Sequence, residues 1–101
     1  MKEMITKDEA KSIVESHIAT FPQPENDRYI VLDDSTISKE WGWVYFYTSE
    51  KWHTTGELQF AVAGNAPLIV EKHTGNLLVT GTAKSIEHYI NEYEATGSPT
   101  A

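Results

Sequence analysis

Asp33 and Asp34, adjacent in the chain, and four histidines (His17, His53, His73 and His88) are the side chains best suited to acid–base or metal chemistry in this sequence of 101 residues. A metal site on a helix needs ligands one turn apart, and no two of these histidines stand at i, i+3 or i, i+4. His88 and Glu92 have the spacing of an ordinary helical pair, while Glu15 and His17, two apart, do not face each other. Asp33 and Asp34 have the chemistry of a cation ligand or half a carboxylate pair, but two aspartates after a strand more commonly make an Asx turn. Cysteine is absent, which excludes disulfides, thiolate nucleophiles and cysteine-held zinc or iron–sulfur centres. No serine sits in a G-x-S-x-G turn, and the glycines are isolated, without phosphate-loop spacing. We therefore expect no catalytic set, no metal and no cofactor. A small hydrolase working through Asp33 or Asp34 with a histidine is the enzymatic alternative.

Charge and aromatic content point to partners instead. Fifteen acidic residues oppose eight basic ones, a formal charge of −7. Such a surface repels phosphate backbones, and no Lys/Arg cluster offsets it, so nucleic-acid binding is not expected. The same field attracts a basic protein, and equally keeps an unpartnered one in solution. Three tryptophans, five tyrosines and three phenylalanines are a heavy load for one small core, and Trp and Tyr are enriched at binding hot spots. No apolar run approaches the ~18 residues that span a bilayer. Met1 to Asp8 is polar with mixed charge, unlike a secretory leader, so the expected location is the cytoplasm.

The elements that would position these groups can be read from periodicity and punctuation. Thr6 and Glu9 form a capping box, and Ala10, Ile13, Val14, Ile18 and Phe21 follow a 3.6-residue period, so a helix is predicted over 6–21, ended by Pro22 and Pro24. Strands are predicted within 28–80. The segments are Arg28–Leu32, Trp41–Tyr47, Leu58–Ala63, Leu68–Val70 and Leu77–Val79. Alternation on the second puts Trp41, Trp43, Tyr45 and Tyr47 on one face and Val44 with Phe46 on the other, the pattern of a central strand. Ser49 to Glu57 reads as a polar connection that leaves Trp52 without a periodic partner, an exposed anchor. His73-Thr74-Gly75-Asn76 reads as a hairpin loop with Gly75 at positive φ. A second helix is predicted over 83–96, capped by Thr82, with Gly97 at its end and a frayed tail over 97–101. The sum is one α+β domain over 1–101: an N-terminal helix, an antiparallel sheet of about four to five strands and a C-terminal helix, both helices packed on one sheet face.

Several stretches together resemble the immunity protein 35 family, also catalogued as YrhB-like. They are Gly42-Trp43-Val44-Tyr45-Phe46-Tyr47, Gly64-Asn65-Ala66-Pro67-Leu68-Ile69-Val70, Thr74-Gly75 and Gly81-Thr82. Ile5-Thr6-Lys7-Asp8-Glu9-Ala10 and the Tyr89-Ile90-x-x-Tyr93 ending are similar to the family as well, so the resemblance covers nearly the whole chain in order. It implies a small bacterial protein encoded beside polymorphic toxins, which binds and neutralises a cognate toxin and catalyses nothing. Some members resemble stress-related chaperones, so a heat-stable holdase for unfolded clients is the alternative. Gly42, Trp43, Gly64, Asn65, Pro67 and Gly75, the motif residues, read as scaffold: Gly42 and Gly64 suit tight backbone sites and Pro67 a strand start. Toxin contacts are not carried by those motifs. The acidic and aromatic side chains in or beside the connections, Asp33, Asp34, Glu40, Glu50 and Trp52, are the candidates for them. Monomer and homodimer both fit the sequence.

Overall fold

A computed structural model describes residues 4–23, 26–61 and 65–100. The first helix, α1 (Lys7–Ile18), starts where the capping box places it. The Glu9 amide donates to Thr6 Oγ1 at 3.1 Å, and the Thr6 amide donates to Glu9 Oε1 at 2.9 Å. It stops three residues short of the predicted end. Pro22 disfavours helical backbone at Phe21, and the last amides, Thr20 and Phe21, bond three residues back to His17 and Ile18.

Six strands follow among the described residues: β1 (Tyr29–Val31), β2 (Ile37–Lys39), β3 (Gly42–Tyr45), β4 (Tyr47–Ser49), β5 (Leu68–Glu71) and β6 (Leu77–Val79). They form a four-stranded antiparallel sheet, β2-β3-β5-β6, and a separate pair, β1-β4, rather than one sheet of four to five. The two sheets share one interrupted hairpin. Val31 stands opposite Tyr47 and Ile37 opposite Val44, so six steps on the outgoing arm pass three on the returning arm. The three surplus residues are a 3₁₀ turn, Asp33–Ser35. The arms meet at a two-residue turn, Glu40-Trp41, where Lys39 pairs with Gly42.

Between β4 and β5 the chain is helical where a polar connection and a strand were expected. Ser49 caps a short helix, α2 (Glu50–Thr55), which Gly56 closes at φ 69°. Leu58–Phe60 is a 3₁₀ turn with Leu58 84% exposed, not the start of a strand. A short apolar run is a strand only where a neighbour offers an edge. The rest of that predicted segment, Val62 and Ala63, lies outside the described residues, as does Gly64.

Both faces of the four-stranded sheet are covered, each by a different helix. Trp43, Tyr45, Leu68 and Val70, joined by Tyr47 and Val31, pack under Ala10, Val14 and Ile18 of α1. Val44 and Ile69 point the other way and pack with Ile90 and Tyr93 of α3 (Ile86–Thr96). The expectation of both helices on one face is therefore corrected. A central strand apolar on both sides, with every residue of β3 buried, leaves two faces to cover. Burial of side chains such as Val44, Leu68 and Ile69 contributes roughly 2 kcal/mol each. Trp41 is also corrected: it lies in the turn and packs with the α3 cluster, not beside Trp43.

The α3 side is pinned by polar contacts. Trp41 lies 4.5 Å from the Tyr93 ring and donates from Nε1 to Glu94 at 3.0 Å, and the Tyr93 hydroxyl donates to Glu71 at 2.7 Å. The N-cap of α3 is Ser85 rather than Thr82, and Gly97 ends it in the left-handed conformation, φ 83°. The Lys84 amide donates to the Tyr89 hydroxyl at 3.1 Å, which holds the chain out of the helix until Ser85. Pro99 is buried, so the tail is not frayed throughout. Gly75 turns the β5-β6 hairpin at φ 73°, as predicted.

Gly42 allows β3 and β5 to approach: a Cβ there would lie 2.0 Å from the Val70 carbonyl oxygen. Gly42→Ala should cost on the order of 3 kcal/mol, read as a lower urea midpoint at unchanged slope, with no such loss for Gly56→Ala beyond its left-handed strain. A second expectation concerns pH. Burial, and then the charges of Asp8 and Asp33, push Tyr45 up to about 12, and burial with the Glu71 hydrogen bond pushes Tyr93 up to about 12. A phenol held neutral by the fold stabilises it fully below the unfolded value near 10, and the contribution is lost as pH rises toward 12. Alkaline unfolding in that window, followed by tyrosinate absorbance, should shift in Tyr45→Phe and Tyr93→Phe.

Candidate functional site

The corner where β1, β4 and α2 meet is tied together by one carboxylate and one hydroxyl. Asp27 accepts from the Arg28 amide at 2.7 Å, from the Lys51 amide at 3.1 Å and, through a short hydrogen bond, from the Ser49 hydroxyl. Ser49, fully buried, in turn accepts from the Trp52 amide at 3.1 Å and so caps α2. Desolvation pushes the Asp27 carboxyl up, but the hydrogen bonds from Ser49 and the two amides outweigh it and hold it below the usual carboxylate range. Next to it Arg28 grips Glu50 with two bonds, 3.2 and 2.9 Å, and that contact lowers Glu50. The pair is exposed, so it orients side chains more than it stabilises the fold.

Two hollows of about 500 Å³ flank this corner. One lies between α1 and β1, lined by Lys11, Glu15, Ile18, Ala19, Arg28 and the strand itself. The other is lined by Ile30 to Ser35 and by His53 of α2. Asp33 is held by Lys11, whose Nζ lies 2.9 and 3.0 Å from its two oxygens. Asp34 beside it is exposed and has no ion pair among the described residues. Ser35, His53 and both aspartates share the second hollow, yet among the described residues no hydrogen bond links one of them to another. Nor does any group of three or more His, Asp or Glu among those residues fit a metal ion.

Of the five residues expected at a partner surface, Asp33 and Asp34 share a hollow with His53 of α2. Glu50 and Trp52 lie on that same short helix but line neither hollow, and Glu50 turns to Arg28. Trp52 is half-buried on a helix rather than stranded in a loop. Glu40 is exposed in the β2-β3 turn, at the end of β3 away from β4, and does not join them. Sequence reading missed Lys11 and Arg28, and named four histidines without showing that His53 is the one beside the aspartates. Arg28 and Glu50 are 22 positions apart, as are Lys11 and Asp33, and no local spacing signals either pair. Ser49 with Gly56 seven residues on was a legible helix start and stop.

The comparisons with known proteins decide the family. The family model described as Immunity protein 35 matches residues 8–95. This chain belongs to the immunity protein 35 family. It is also similar to the uncharacterized protein YrhB of Escherichia coli (strain K12), at 38% identity over 53 residues, 52% of this chain and 56% of that one. The chain thus spans little more than half the length of that relative. No solved structure matches. Among the described residues no helix is long and apolar enough to cross a membrane.

In this immunity protein 35 family member the motif residues hold the sheet. Trp43 is buried under α1 with the Lys72 ammonium 5.4 Å from its ring. Asn65 donates to the Tyr47 carbonyl at 3.2 Å, and the Pro67 carbonyl, just before β5, accepts from the amide and the hydroxyl of Thr80. None of these residues lines either hollow. Ser49→Ala should remove the α2 cap and release Asp27, lowering stability by ~1 kcal/mol or more in a thermal melt. Amide exchange should rise at Trp52 and leave α1 unchanged.

Proposed function

We propose that this chain is an immunity protein that binds a cognate bacterial toxin domain in the cytoplasm, covers its active site and catalyses nothing itself. The observation that carries this reading is family membership across residues 8–95. The surface is consistent with it: a net charge of −7 favours a basic partner, and carboxylates in place of phosphates would suit a nuclease. Asp33, Asp34, Glu50 and Trp52 form the proposed contact, and Glu40 joins it only if the partner reaches the far turn.

Affinity capture from the source organism, followed by co-expression, tests this. The expected result is one stoichiometric partner carrying a C-terminal toxin domain whose growth arrest is relieved by this protein. Charge reversal at Asp33, Asp34 and Glu50 together should weaken that complex by at least about tenfold, with a smaller loss for Glu40→Lys. A scatter of aggregation-prone clients, or arrest that persists on co-expression, overturns the reading in favour of a holdase.

A further inference from the structure

Among the described residues strand β1 pairs with β4 alone, along one of its two edges. Its ladder with β4 ends in bonds from the Leu32 amide to Phe46 and from the Glu50 amide to Arg28, both 2.8 Å. Antiparallel alternation then turns the backbone groups of Arg28, Ile30 and Leu32 toward β4 and those of Tyr29 and Val31 away from it. Gln23 Oε1 takes the Tyr29 amide at 3.0 Å. The Tyr29 carbonyl and both backbone groups of Val31 have no hydrogen bond among the described residues. An open strand edge is a template for another strand.

Both hollows border this strand. Ile30 and Val31 line each of them, one opening toward α1 and the other toward the 3₁₀ turn and α2. An added strand sends alternate side chains to opposite faces. Those entering the α1 side would meet Ile18 and Ala19, and those entering the other would meet Asp33, Asp34 and His53. Lys11 and Arg28, the cations at the rim, are each paired with a carboxylate, while Asp34 and Glu15 have no ion pair among the described residues. The uncompensated charge at the edge is negative.

We propose that the outer edge of β1 is a strand-addition site for an extended segment of a partner protein in which apolar and basic residues alternate. Main-chain hydrogen bonds to Tyr29 and Val31 supply the grip, and the two hollows supply the choice of side chains. Naming that partner as the toxin rests on the immunity reading; the edge itself does not.

The test uses the whole protein, labelled for amide NMR, and a synthetic nine-residue peptide alternating valine with lysine. Shifts should map to Tyr29, Ile30, Val31, Asp34 and Ala19, and the Val31 amide should exchange more slowly. A valine–glutamate peptide, and a valine–lysine peptide interrupted by proline, should each bind at least about fivefold more weakly. Ala19→Arg, which fills the α1-side hollow, and Asp34→Lys sit at exposed positions and should give a similar loss. Shifts at β2 or β6 instead, no shifts at millimolar peptide, or equal binding of the acidic peptide overturns the proposal. A captured toxin that binds wild type and Ala19→Arg equally would remove the toxin as the source of the added strand while leaving the immunity reading intact. Failure to capture a toxin would do the reverse, because the peptide result stands alone.

Discussion

Strand β3 is buried along its whole length, with a strand on each side and a helix over each face. Most other features follow from that. An apolar strand exposed on neither face cannot sit at the rim of a two-layer domain, so the chain must provide cover twice. It does so with its two longest helices, one at each end of the sequence. Gly42 sets how closely β3 and β5 can run, because the Val70 carbonyl occupies the space a side chain would need. The polar ties on the α3 side, Tyr93 to Glu71 and Trp41 to Glu94, keep the second cover in place.

The same hairpin that builds the centre also creates the corner. Three residues inserted as a 3₁₀ turn shift the arms out of step, so β1 and β4 leave the main sheet as a separate pair. That turn carries Asp33 and Asp34, and β4 runs directly into α2. The acidic turn, the short helix and an open strand edge thus share a cause: a register slip that a continuous hairpin would not have. Asp27, held down by Ser49 and two amides, makes the corner a defined structure rather than a loose loop.

The parts of the fold that were legible in the sequence are those set by neighbours a few positions apart. Thr6 with Glu9, the stripe from Ala10 to Phe21, Gly75 in its hairpin and Gly97 at its helix end all depend on local geometry. Two-sided apolarity of the strand around Val44 was legible too, yet which helix covers which face is a tertiary outcome, and the single-face arrangement did not follow from it. Ile37-Ser38-Lys39 is too short and mixed to announce a strand without Gly42 to Val44 beside it. Leu58 to Ala63 had strand composition but, as far as Phe60, became a turn. At the corner, the acidic residues could be named but not assembled, since Lys11–Asp33, Arg28–Glu50 and Asp27–Ser49 each close a 22-residue gap.

Scaffold and surface occupy different places in this chain, and the energies involved differ accordingly. Removing a buried side chain from a core such as that under α1 costs ~2–5 kcal/mol, a large share of what a domain of this size can have. Changing an exposed residue such as Asp34 or Ala19 usually moves stability by less than about 0.5 kcal/mol. Trp43, Pro67, Gly42 and Gly75, which carry the family resemblance, sit where the fold tolerates little. The hollows and the acidic turn sit where it tolerates much. For the proposed partner-binding role that separation is an advantage, because side chains at the hollows and the acidic turn can be exchanged while the two-sided core is kept.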